Sequence, residues 1–262
     1  VAHGLEFTGH FPGEETLRGN VSYSGDIQQS VRLMTVPGID LLRDATSYDV
    51  SPDGAWYGGD LRALNATCKV VSSAADYAGI ERRMVEAYGV VDYDQSLMRM
   101  KRMVDWLAAL GLNLINDNTM IYSLQGFRKR RVSGKTFTTP WFPVYGKFSE
   151  HVGRVCWMTT VGDAHDDVAV LYPTMTGWTL YGGRLPGSLE EQLWPIVEQA
   201  LVETTDGLNR IQRGWKFLFD EDLVAAQVAD SRLTTGGAAF STVILPAVAA
   251  LTQAAYQALR RF

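Results

Sequence analysis

The chain has 262 residues, of which 46% are hydrophobic and 20% charged, with a net charge of -5; this is the balance of a globular protein able to bury a sizeable core. An acidic chain has no surplus of basic surface to release counterions from a polyanion, so nucleic acid is excluded as a main partner. The one basic run, Arg128 to Arg131, is short and is expected to be a solvated loop.

Two cysteines, Cys68 and Cys156, fall in helix-like segments outside any CxxC pair, which gives no support to a disulfide framework or a zinc site. No stretch is long and apolar enough to span a bilayer, so no membrane partner is expected. The opening VAHGLEFTGHFPGEE lacks a basic segment followed by an apolar run, and so is not a signal peptide. It begins without Met, directly in strand-like sequence, and the chain is read as part of a longer polypeptide. The expectation is a soluble protein, cytoplasmic or exported by a signal lying upstream.

Strand-like and helix-like stretches alternate, which predicts an α/β fold with parallel strands. Residues 4–11, GLEFTGHF, alternate between turn residues and read as a strand with Glu6, Thr8 and His10 on one face. Residues 22–34 read as a helix, and residues 35–42, TVPGIDLL, as a short strand with Pro37 near its start, where a missing N–H is tolerable. Residues 46–60 form a turn-rich loop, long enough to suggest function. Residues 64–79 read as a helix closed by Gly79, and residues 82–89, RRMVEAYG, as the next strand. Met100, Met103, Val104, Leu107 and Ala108 recur at helical spacing, with Asp94 or Ser96 to cap the start and Gly111 to close it. Residues 112–123 are a further strand; after a loop, Tyr145, Phe148, Val152, Val155 and Cys156 mark a helix that ends at Gly162.

Residues 1–162 therefore hold about four strand–helix units, the content of half a (β/α)8 barrel, whose whole takes about 250 residues. Composition shifts at residues 162–167, and a second unit, 163–262, reads as a small open sheet of the doubly wound, flavodoxin-like kind. In it, DVAVLYP is a strand. Ser188 and Glu191 form a capping box before a helix with Leu193, Ile196, Val197, Ala200 and Leu201 on one face. WKFLFDEDL and STVILP are strands, and Val248, Leu251, Ala255 and Leu259 mark a closing helix. TTGGAAF is a turn and not a dinucleotide-binding loop, and no phosphate-cradling loop occurs elsewhere.

Barrel sites form where strands end. That rule selects His10, Asp40, Glu86, Asn118, Tyr122 and Ser123 as polar groups facing a common mouth. Carboxylates for proton transfer or attack, donors for hydroxyls, and aromatic faces for sugar rings suit carbohydrate chemistry. Each group has an ordinary alternative: Glu86 can pair with Arg82 or Arg83, His10 can be structural, Asp40 can cap the next segment, and Tyr122 and Trp141 can pack on the core.

TGH at Thr8 to His10, PGID at Pro37 to Asp40, SSAADYAG at Ser72 to Gly79, VEAYG at Val85 to Gly89, MKRMVDWLAALGLN at Met100 to Asn113 and VAVLYP at Val168 to Pro173 occur in this order. The series resembles the later part of bacterial glycoside hydrolases related to α-L-rhamnosidase family 106. The resemblance implies a catalytic barrel followed by a flavodoxin-like domain similar to the amidotransferase-like domain of some β-galactosidases. There that domain assists assembly, which implies a homo-oligomer through residues 163–262. Amidotransferase chemistry itself needs a cysteine, and none lies in residues 167–262.

The resemblance places Glu86 at the end of the seventh barrel strand, where the nucleophile or general base sits. His10 and Asp40 would then hold sugar hydroxyls, and Asn118, Tyr122 and Trp141 would shape the pocket. Two departures stand out. Relatives often carry His where this chain has Asn118, which cannot titrate near neutral pH. The general acid usually comes from a fourth strand that this chain lacks, and Glu6 is a poor substitute. No metal ligand set is read from the sequence; calcium, used by some rhamnosidases of this type, enters by resemblance alone and no EF-hand spacing supports it. The expected function is glycoside hydrolysis, with a carbohydrate substrate; the alternative is a non-catalytic carbohydrate-binding or assembly module with a decayed site.

Overall fold

The computed structural model describes residues 3–42, 61–89, 91, 95–120, 123, 125–126, 137–162, 164–181 and 187–262. The loop 46–60, Asp94, Tyr122 and the basic run 128–131 lie outside the described residues.

Four strands, β1 (Thr8–Gly9), β2 (Val36–Leu42), β3 (Met84–Gly89) and β4 (Leu114–Asp117), form one parallel sheet in chain order. The helices between them, α1 (Leu17–Gly19), α2 (Ile27–Val31), α3 (Leu61–Tyr77) and α4 (Leu97–Ala109), and α5 (Tyr145–Met158) after them, bury apolar stripes. In α4, Met100, Met103, Val104 and Leu107 are fully buried, and the Ser96 hydroxyl accepts the Arg99 N–H as the N-cap. Gly79 and Gly111 follow α3 and α4 with φ of 67° and 92°, and the next N–H in each case reaches back to a helix carbonyl, Ile80 to Ala75 and Leu112 to Leu107.

Three expectations are corrected here. The first strand pairs only over Thr8–Gly9, not over 4–11: it is an edge strand, and Pro37 opposite Gly9 offers no N–H to prolong the ladder. The helix expected over 22–34 is interrupted at Gly25, with a π turn (Asn20–Ser24) before it and α2 after. The strand expected over 112–123 ends at Asp117.

A second parallel sheet has the order β10 (Thr242–Ile244), β5 (Val168–Leu171), β6 (Trp215–Leu218). Helices α6 (Thr174–Leu180), α7 (Leu189–Arg210), α8 (Asp220–Ala225) and α9 (Gln253–Leu259) accompany it; the strand expected over 215–223 ends at Leu218, and its last residues, Asp220 to Leu223, lie in α8 instead. In α7 the Ser188 hydroxyl accepts the Glu191 N–H at 3.1 Å, while the Glu191 carboxylate reaches the Gly187 N–H, one residue beyond the capping-box partner. Its buried stripe is Trp194, Val197, Leu201, Thr205 and Leu208, and Ile196 is exposed. The closing helix is shorter than expected, since Val248 and Leu251 precede it in irregular backbone. A three-stranded antiparallel meander, β7 (Gln227–Ala229), β8 (Arg232–Thr235) and β9 (Ala238–Phe240), has no counterpart in the sequence reading; the turn at Gly236–Gly237 is its second hairpin.

Helix α3 lies between the two parallel sheets, packing on β2 and on β6 and α7. Its Ser73 hydroxyl accepts the Phe217 N–H at 3.0 Å and its Tyr77 hydroxyl donates to the Phe217 carbonyl at 2.8 Å. One apolar cluster runs from Ile39, Val85 and Met103 through Val71 to Val170 and Phe217, so the two halves share a core. Across the same junction Arg32 grips Asp222 with both nitrogens and lies over Tyr77 and Phe219 at 5.8 and 5.7 Å.

Candidate active site

Strand β3 explains where its carboxylate goes. Val85 and Ala87 point to the helix layer and are fully buried, which puts Glu86 on the opposite face with its side chain 25% exposed. The ladder with β2 then slips: Leu41 pairs Ala87 and Leu42 pairs Gly89, leaving Tyr88 as an extra residue. Tyr88 has φ of 66°, and its hydroxyl donates to the Met100 carbonyl in the helix layer. Glu86 is therefore the last side chain of β3 on its face before the bulge.

Two side chains from other strand ends of the same sheet hold Glu86. His10, just after β1, places Nε2 3.1 Å from Oε2. The Asn118 amide, just after β4, donates to Oε1. Asp40 is the register partner of Glu86 on β2. Strands lie about 4.8 Å apart, so the two acids are neighbours. Burial, and then the charge of Glu86, push the Asp40 carboxyl up to about 6. Its Oδ1 is buried without a hydrogen-bond partner. The alternative pairing of Glu86 with Arg82 or Arg83 does not occur; Arg83 pairs with Asp76 instead.

Sequence reasoning missed Glu14. It follows the Pro12–Gly13 turn and is only 2% exposed, while its neighbour Glu15 is exposed. Its Oε2 accepts the Phe11 N–H at 3.2 Å, its Oε1 accepts the Asp40 N–H, and the same Oε1 lies 3.9 Å from His10 Nδ1. Burial pushes its carboxyl up to about 8. The only sequence signal is its spacing of four from His10, which does not tell Glu14 from Glu15.

The structure brings His10, Asp40, Glu86 and Asn118 together. Trp141 makes other contacts: its indole donates to the Gln95 carbonyl at 2.9 Å and its ring lies 5.7 Å from Tyr145. Tyr145 in turn donates to Asp117, which faces the helix layer, and so ties α5 to β4. Among the described residues no group of three or more His, Cys, Asp or Glu side chains is arranged to hold a metal ion. No described helix is long and apolar enough to cross a membrane.

No protein-family model matches the chain, and no curated protein matches it. Among solved structures, a rhamnosidase from Novosphingobium sp. PP1Y is similar with a TM-score of 0.58 and 17% identity; the match covers 89% of this chain and 20% of that one. A GH42 β-galactosidase from G. stearothermophilus gives a TM-score of 0.46 and 15% identity over 74% of this chain and 28% of that one. The likeness is one of fold: this chain has a mixed α/β fold with parallel sheets, similar to part of that rhamnosidase, and it spans about a fifth of the rhamnosidase's length.

Proposed function

We propose that this chain is the later part of a glycoside hydrolase, with residues 1–162 forming half of a (β/α)8 barrel and residues 163–262 a flavodoxin-like assembly domain. The carrying observation is Glu86: a partly open carboxylate at the C-terminal end of a parallel strand, held by an imidazole that follows β1 and an amide that follows the adjacent β4. That is where barrel enzymes place reacting groups. Glu86 acts as base or nucleophile. His10 and Asn118 orient its two oxygens, so that it reacts from one geometry. Asp40, able to hold a proton near neutral pH, binds a sugar hydroxyl beside it. The substrate is an O-glycoside, with α-L-rhamnosides the first to try. Calcium would come with this family reading alone; among the described residues no cluster of carboxylates is arranged to hold it.

Among the described residues no apolar cluster covers the second face of the first sheet, which supports the barrel. All-parallel sheets are as a rule covered on both faces, and among the described residues the apolar cluster lies only on the helix side of β2 and β3.

The test is Glu86→Gln in the intact polypeptide, assayed on aryl α-L-rhamnosides and β-galactosides, with sugar binding measured by calorimetry. Lost turnover with retained binding is expected. An unaltered protein that binds sugar and turns over none of these glycosides would favour the binding-module alternative.

A further inference from the structure

We infer that Glu14 is a positioning residue for this site: from beneath it fixes the His10 ring on Glu86 and the Asp40 backbone beside them, forming a carboxyl–imidazole–carboxylate chain. For its effect on turnover this rests on the reading of Glu86 as the reacting group; for its effect on His10 it does not.

Geometry carries the assignment. Glu14 binds two backbone N–H groups, one in its own loop and one in β2, and so joins the loop that bears His10 to the strand that bears Asp40. His10 Nδ1 is buried and lacks a hydrogen-bond partner, with Glu14 Oε1 the carboxyl oxygen 3.9 Å away. A neutral imidazole donates from one nitrogen and accepts at the other. With Nε2–H given to the Glu86 carboxylate, Nδ1 is left as an acceptor; the Glu14 carboxyl oxygen 3.9 Å away is beyond hydrogen-bond distance and becomes a donor to Nδ1 only if it is protonated and moves closer. Burial supports this state of Glu14.

The groups around Glu14 reinforce it. Cys68 faces it from α3 as a thiol that burial keeps neutral. Asp40 and Glu15 add negative charge, and Glu86 lies beyond His10. Glu198 of α7 borders the same small cavity as Glu14, and burial raises its carboxyl too. As pH rises, the O–H bond of Glu14 breaks and its proton leaves to solvent, so that a carboxylate with no proton to donate faces His10 Nδ1 and the ring loses that constraint.

The experiment is an NMR titration of the histidine rings and the Glu14 side-chain carboxyl in the intact protein and in Glu14→Gln. The expected result is a Glu14 carboxyl that titrates near pH 8 and a matching inflection in the His10 ring signals. In Glu14→Gln that inflection disappears, while His3, His151 and His165 titrate as before. Where turnover is measurable, Glu14→Gln lowers kcat by about tenfold with KM little changed and alters the alkaline limb of the pH profile. A Glu14 carboxyl that titrates below about pH 5, as an ordinary glutamate does, overturns the proposal whether or not the variant folds. So does a folded Glu14→Gln protein whose His10 titration matches the parent. If Glu86→Gln leaves turnover intact while the Glu14–His10 coupling is present, the hydrolase reading fails and the positioning contact stands.

Discussion

In β5 and β6 every residue of Val168–Leu171 and Trp215–Leu218 is buried, whereas β3 leaves Glu86 partly open and β4 is followed by a partly open Asn118. Both sheets are parallel. The difference is what covers them. On β5, Val168 and Val170 enter the core shared with α3, while Ala169 and Leu171 enter a second core with Leu223, Phe240 and Ala255. Alternate residues thus find apolar partners on both faces, and the strand reads as an unbroken apolar run. On β3, Val85 and Ala87 have such a core, but Glu86 faces polar strand ends. The second sheet buries these strands on both faces, and the first leaves polar groups partly open at its strand ends.

That contrast can be broken by mutation. The largest effect is expected from Glu86→Gln, which should lower turnover by about 10²–10⁴-fold while urea unfolding stays within about 0.5 kcal/mol of the parent. In the closed sheet the opposite is expected. Phe217→Ala should cost about 3–5 kcal/mol in urea unfolding, because it empties a fully buried site, and should leave the His10 ring titration unchanged. A loss of turnover without a loss of stability in Phe217→Ala would erase the distinction between the sheets.

Arg32→Ala tests how firmly the two regions are joined. It strands the buried Asp222 and removes a cation from over two rings, and a loss of about 3 kcal/mol is expected in equilibrium unfolding. A smaller loss would mean that the shared core, and not this pair, holds the halves together.

The pH dependence of stability sharpens the account of the open face. Folding raises the Glu14 carboxyl from 4.5 to about 8, so the folded state holds its proton more tightly than the unfolded state does. The resulting stability is present in full below pH 4.5 and is lost as pH rises through about 8. Asp40, raised from 3.8 to about 6, acts with the same sign over a lower window. Thermal denaturation between pH 5 and 8 should show falling stability in the parent and a flatter curve in Glu14→Gln. The smallest effect is expected at a helix end far from the chemistry: Ser188→Ala removes the N-cap of α7 and should cost about 1 kcal/mol.

Several of these elements are legible in the chain. Helix α4 shows its buried stripe, its Ser96 cap and its closing Gly111 because each is a local rule satisfied within a few residues. The strands β2, β3, β5, β6 and β10 are legible for the same reason, and so are His10, Asp40, Glu86 and Asn118 as polar residues at strand ends. The meander is not. Its strands, QVA, RLTT and AAF, have three or four residues each and little apolar alternation, and they hold together by pairing with one another. Ile196 also misleads: it has the spacing of the α7 stripe, but the helix turns Trp194 inward in its place.

The order of strands, the parallel sense of the sheets and the residues offered at the strand ends follow from local pattern, because hydrophobic period and capping act over one or two turns of chain. Which carboxyl keeps a proton does not. Glu14 and Glu15 are the same residue in the same turn, and only the arrival of β2 and α3 over one of them removes its water. Desolvation is a property of what surrounds a group in space, so tertiary packing alone decided it.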